Sequence, residues 1–168
     1  MGTHTHKADV PHNLRVAILT VSTTRSIKED KSGQWMARMA QREGHEVVDH
    51  RVVTDDAAAI VAQVQEILAA FRPQALLITG GTGIGPADVT IEAVRPLLQK
   101  ELTAFGPLFA QLSYEEVDSA ALLSRATAGL IAQSLVFCIP GSLNACKLAC
   151  KALIFPELGH LVKHVLKG

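Results

Sequence analysis

The sequence of 168 residues holds one Trp, one Tyr and five Phe, so aromatics are only 4%. That is a poor supply for stacking the bases of a single strand. It has no surplus charge: sixteen Lys and Arg meet sixteen Asp and Glu. A nucleic-acid protein usually shows a basic excess, so no nucleic-acid partner is expected. No apolar run approaches the roughly 18 residues of a membrane span, and no membrane partner is expected. Residues Met1 to His12 are polar and lack the apolar stretch of a signal peptide. His6 stands where myristoylation at Gly2 would need Ser or Thr. Cysteine is scarce. Cys138, Cys146 and Cys150 are an odd count without framework spacing, so the thiols read as reduced and the chain as cytoplasmic. Cys146 and Cys150 suit one helix face, where small buried core residues are the favoured reading over a metal site.

Hydrophobic residues make up 48% and charged residues 19%, a globular composition. The length suits one domain, over 13–168, preceded by a loose tail over 1–12. A chain this size buries roughly 70% of its unfolded surface and needs no staple. There is no repeat and no linker.

Apolar runs of strand length alternate with helical patterns. Leu14 to Val21, Val47 to Val53, Ala75 to Ile78 and Leu135 to Ile139 read as buried strands. A polar loop over 22–31 follows the first. Trp35, Met36, Met39 and Ala40 recur at helical spacing, with Gly44 as the stop. Ile60, Val61, Val64, Ile67, Leu68 and Phe71 form one apolar stripe that Pro73 ends. Further helices are expected around Ile91 to Leu98, over 101–117 with a break at Gly106-Pro107, around Leu143 to Leu153, and from Pro156 onward. A short antiparallel strand is expected near Ala126 to Ile131. The pattern predicts an α/β fold with a mostly parallel sheet and helices on both faces. Ligands of such sheets bind at the carboxyl ends of the strands.

Two strand ends carry special turns. Thr79-Gly80-Gly81-Thr82-Gly83-Ile84-Gly85 packs four glycines into six residues, which lets bare backbone approach a ligand. Free N–H groups there, with the following helix, suit an anion. It is neither a Walker A loop nor a dinucleotide fingerprint, because Gly-Lys-Ser/Thr is absent and Pro86 replaces the third glycine. A plain strand-to-helix turn is the other reading. Asp88 repels phosphate unless a Mg²⁺ ion lies between them. It either caps the next helix or, with Thr90 as the cap, stays in the loop. The second turn is Pro140-Gly141-Ser142, a helix cap or a second anion site. One of Asp55 and Asp56 is expected to cap a helix. His4 and His6 read as solvated tail residues, His160 and His164 as surface residues at a helix end, and Arg125 as a surface residue.

Taken in order, Ile18 to Ser22, Asp30-Lys31-Ser32-Gly33, Thr79 to Gly83, Asp88-Val89-Thr90, Leu123-Ser124-Arg125 and Pro140-Gly141-Ser142 resemble the MoaB/Mog family of molybdenum cofactor biosynthesis proteins. The likeness covers nearly all of residues 14–166. Leu112-Ser113-Tyr114-Glu115-Glu116 places it nearer the MoaB branch. The resemblance implies a three-layer α/β/α sandwich with one antiparallel strand, assembled as a trimer or hexamer. It implies binding of molybdopterin and, in active members, transfer of AMP from Mg·ATP to the pterin's terminal phosphate. The alternative it leaves is a non-catalytic molybdopterin-binding or carrier protein, and other proteins of the pathway are possible partners. It assigns Asp55 and Asp88 catalytic roles, with Asp88 holding Mg²⁺. It assigns Ser22, Asp30, Ser32, Gly80, Gly81, Thr82, Gly83, Ser113, Arg125, Pro140, Gly141 and Ser142 to substrate binding. The sequence departs from the family's common pattern at Thr23 (often Asp), at Ile91 (often Pro), and at Leu143-Asn144 (often Pro-Lys).

Overall fold

In a computed structural model, which describes residues 10–167, six strands form one sheet in the order β2-β1-β3-β6-β5-β4. The strands are β1 (Arg15–Val21), β2 (Glu46–Val53), β3 (Ala75–Thr79), β4 (Lys100–Glu101), β5 (Thr127–Ile131) and β6 (Ser134–Ile139). β1, β2, β3 and β6 run parallel, and β5 lies antiparallel between β6 and β4. One antiparallel strand was the expectation, and β5 is that strand. The helices are α1 (Lys31–Arg42), α2 (Ala57–Phe71), α3 (Thr90–Val94), α4 (Phe105–Val117), α5 (Leu143–Ala149) and α6 (Phe155–Lys167).

β1, β3 and β6 are apolar on both faces because both are covered. Val16, Ile18, Leu77 and Phe137 pack against Met36, Phe109, Cys146 and Leu158, so α1, α4, α5 and α6 form one outer layer. Ala17, Leu19, Leu76 and Val136 pack against Ile60, Val64 and Ile91, so α2 and α3 form the other. All three cysteines are buried and free. Burial pushes the Cys138 thiol up to about 12 and raises those of Cys146 and Cys150.

Local chemistry sets several boundaries differently from the sequence reading. α1 starts at Lys31, because Asp30 caps it by accepting from the Gly33 N–H at 2.9 Å. α4 is not broken at Gly106-Pro107. Pro107 sits in its first turn, where the missing N–H costs nothing. Nor does Pro156 open a separate helix. Residues 143–167 wind continuously, with a π turn at Cys150–Ile154 just ahead of Pro156. The wider turn makes room for a ring that an α-helix would drive into a carbonyl. β4 escaped the pattern because two residues show no periodicity. Residues 10–12 are laid against α6, where a side chain at Gly159 would collide with Val10. The rest of the expected tail, with His4 and His6, lies outside the described residues.

Gly44 has φ +86°, and its N–H and that of His45 return to Gln41 and Ala40 carbonyls, closing α1 in a Schellman turn. A side chain there would meet nothing within 4 Å. Gly44→Ala should therefore cost only the left-handed backbone penalty, about 1 kcal/mol in urea unfolding.

Candidate active site

The register aligns Thr20 with Thr79 and Thr79 with Ile139, so β1, β3 and β6 end side by side. β2 lies on one side of β1 and β3 on the other. The loops leaving β1 and β3 therefore part around a crevice at the switch point of the sheet. The crevice is a hollow of about 270 Å³. Ser22, Arg25, Asp55, the loop Gly80–Gly83, Asp88, Pro140 and Gly141 all line it.

Its walls are held from below by a buried carboxylate. Asp30 is wholly buried and accepts from Thr20 Oγ1 at 2.6 Å, His50 Nε2 at 2.8 Å and the Gly33 N–H. β1 and β2 slip by one residue at Val48. A one-residue slip turns side chains to the opposite face, and here it brings His50 to the α1 side. Gly33 is needed because a Cβ would lie 2.1 Å from Asp30 and 2.4 Å from His50. The next side chain, Ser32, donates to the Gly141 carbonyl at 2.9 Å. Arg25 donates to the same oxygen at 3.5 Å.

The glycine loop is fixed by its own chain as well. Gly80 and Gly81 have φ of +98° and +65°. A Cβ on Gly80 would meet the Val21 carbonyl at 2.3 Å, and one on Gly81 would meet Thr90 Oγ1 at 2.3 Å. These two glycines answer to packing rather than to a ligand. Gly141 lies against Gly80, so the two turns touch backbone to backbone. Thr90 Oγ1 is buried and donates to the Gly80 carbonyl at 2.8 Å. Neither Thr90 nor Asp88 caps α3, whose cap position is Val89. Asp88 instead folds over the loop, accepting from the Gly85 N–H at 2.9 Å and closing over Gly83. Arg125 is not a free surface residue. It donates to the Gly83 carbonyl at 2.7 Å and pairs with Glu92. Among the described residues, no acceptor takes the backbone N–H of Gly81, Thr82 or Gly83.

Asp56 caps α2, which leaves Asp55 in the crevice. Asp55 Oδ2 accepts from the Thr23 N–H at 2.7 Å and Thr23 Oγ1 at 2.8 Å. Ser142 caps α5 through the Ala145 N–H and faces an adjoining hollow of about 160 Å³ with Ser113 and Leu123. Ser113 itself donates to the Phe109 carbonyl. Ser22, Asp55, Gly80–Gly83, Asp88, Pro140 and Gly141 thus converge, and Thr82 sits almost wholly buried among them. Asp30 and Ser32 lie behind the wall, Ser113 and Ser142 at its flank, and Arg125 beneath the loop. Sequence reasoning missed Arg25, Thr23 and His50. Arg25 and Thr23 sit in an irregular loop, and His50 reaches Asp30 across 20 residues.

Three comparisons bear on this crevice. A family model described as "Probable molybdopterin binding domain" matches residues 17–160. The chain is 44% identical over 168 residues to "Molybdenum cofactor biosynthesis protein B" of Bacillus subtilis (strain 168), covering 99% of each chain. It is 46% identical over 170 residues to the protein of that name in Staphylococcus aureus (strain MRSA252), covering 99% of this chain and 100% of that one. A crystal structure of a molybdenum cofactor biosynthesis protein B superposes with a TM-score of 0.91 at 42% identity, over 95% of this chain and 100% of that one. A tungsten cofactor synthesizing protein MoaB from Pyrococcus furiosus follows at 0.84 and 36%, over 92% and 98%.

Burial pushes the Asp30 carboxyl up, but hydrogen bonds from His50, Thr20 and Gly33 outweigh it and hold it below the usual range. A carboxyl lowered on folding contributes stability above its unfolded value and loses it as pH falls through the folded one. Stability should therefore drop in acid as Asp30 protonates. Asp30→Asn should cost about 2 kcal/mol near neutrality, because an amide cannot accept from every donor there. It should also flatten the acid limb of the urea midpoint against pH.

Proposed function

This chain belongs to the molybdopterin-binding domain family of molybdenum cofactor biosynthesis proteins, and from that premise we propose that it binds molybdopterin and adenylylates it. In the proposed reaction an oxygen of the pterin's terminal phosphate bonds to the α-phosphorus of ATP. The bond to the β-phosphate oxygen breaks, and pyrophosphate leaves. The observation that carries the reading is the set of loop N–H groups, Gly81 to Gly83, that have no acceptor among the described residues and border a crevice lined by Arg25. Such groups suit phosphate. Arg25 brings a cation to the crevice, whereas Asn144, which stands in place of the family's common Lys, lines the adjoining hollow.

Asp55 and Asp88 fit a role beside Mg²⁺. Both are hard oxygen donors on the crevice wall, and each has one oxygen engaged by the chain. Among the described residues no group of three or more such ligands can hold an ion alone, which suits Mg²⁺ shared with substrate phosphates. When bound, Mg²⁺ neutralises charge that develops on transferring phosphoryl oxygens. Asp88 also braces the loop through Gly85, so one side chain shapes the loop and would help to hold the ion.

The second reading is a non-catalytic binder or carrier of the same pterin. Thr23 favours it, because it takes up one Asp55 oxygen with two hydrogen bonds. We also assign the chain to a homo-oligomer, a trimer or hexamer. Leu122 is 87% exposed and Leu123 55% exposed, and Leu108, Tyr114 and Val117 on α4 are exposed beside them, apolar area that association would cover. Sedimentation equilibrium reads that mass directly. No helix among the described residues is long and apolar enough to cross a membrane.

The reaction is tested by incubating the purified protein with molybdopterin and Mg·ATP and detecting the adenylylated pterin and pyrophosphate. Product is expected from the native chain. Asp88→Asn should lower turnover by roughly a hundredfold, since it weakens charge stabilisation on transferring phosphate. Its melting temperature should change little, because Asn also accepts from Gly85. No product, with both ligands bound, assigns the chain to the carrier reading.

A further inference from the structure

Among the described residues no group of three or more His, Cys, Asp or Glu side chains is placed to hold a metal ion. One pair nevertheless has the spacing of two ligands. His160 and His164 lie one turn apart on α6, near the amino-terminal edge of the sheet and away from the crevice. Their Nε2 atoms are 3.0 Å apart, and their rings cross at 64° with centroids 4.7 Å apart. The helix beneath them is anchored by buried Leu158 and Val162, so the spacing rests on a fixed backbone.

The chemistry of the pair is ordered from one side. Glu157 Oε2 lies 3.3 Å from His160 Nδ1. A carboxylate only accepts, so Nδ1 of His160 carries the proton and its Nε2 lone pair faces His164. The 3.0 Å contact is then a hydrogen bond donated by His164 Nε2. A metal ion takes both nitrogens once His164 carries its proton on Nδ1 and the two rings turn their Nε2 lone pairs toward a common point beside the Nε2–Nε2 line. The carboxylate–histidine arrangement is the one that commonly orients metal ligands. Two imidazole nitrogens 3.0 Å apart and each about 2.1 Å from one ion subtend about 90° at it. That is the cis angle of square-planar or octahedral ions, whereas a tetrahedral zinc site would spread them further.

We propose that His160 and His164 form a two-histidine chelate for Ni(II) or Cu(II), with Glu157 orienting His160 and water completing the coordination. The site is independent of the pterin reading. It is tested on the full chain by calorimetric titration with Ni(II) and Cu(II), and by electron paramagnetic resonance of the Cu(II) form. One ion should bind per chain, with hyperfine coupling from two imidazole nitrogens. His160→Gln at a half-buried position and His164→Gln at an exposed one should each weaken binding at least tenfold, with little change in melting of the metal-free protein. Glu157→Gln should weaken it roughly tenfold. The rival ligands are His4 and His6 and, in the hollow beside His160, His12, so the tail variant His4→Gln/His6→Gln/His12→Gln should bind as the native chain does. Affinity retained in His164→Gln, or lost in the tail variant, overturns the proposal. Zn(II) binding more tightly than Ni(II) overturns its geometry.

Discussion

The crevice depends on the charge of one buried carboxylate. Asp30 has no exposure to water, and a carboxylate so placed must be matched by donors. Thr20 comes from β1, His50 from β2 and the Gly33 N–H from α1. Three elements are thereby fixed to one another at the carboxyl edge of the sheet. The lock extends to the surface through Ser32, which holds the Gly141 carbonyl, and through Gly141, which packs on Gly80. The glycine loop thus rests on hydrogen bonds made well behind it.

That arrangement divides the residues of the site by task. Gly80, Gly81, Thr90 and Arg125 are occupied with shaping the loop, since each meets or bonds another part of the chain. The backbone N–H groups of Gly81 to Gly83, with Arg25, Asp55 and Asp88, are what the crevice presents. In the proposed reading the loop would need little reorganisation to hold a phosphate, because among the described residues these donors have no acceptor.

Much of this was legible in the sequence, for stated reasons. Buried parallel strands are continuous apolar runs, so β1, β3 and β6 stand out, and α2 shows its stripe because only one face is covered. Four glycines after β3 marked the loop. What did not show depends on distance. Asp30 reads as an ordinary loop carboxylate until His50 is brought to it, and the slip at Val48 that brings it has no sequence signature. Gly33, in the first turn of α1, looks like a helix breaker unless the Asp30 cluster beside it is known. Arg125 looked exposed because its partner, the Gly83 carbonyl, is 42 residues away. The π turn before Pro156 could not be told from a helix end.

The central claim is the location of the site, and amide hydrogen exchange with bound ligand tests it most directly. Adding molybdopterin with Mg·ATP should slow exchange in peptides covering 22–25, 80–88 and 140–142, with little change in α6 or at the opposite edge of the sheet. Saturable binding with protection elsewhere, and none in those three segments, would contradict the account.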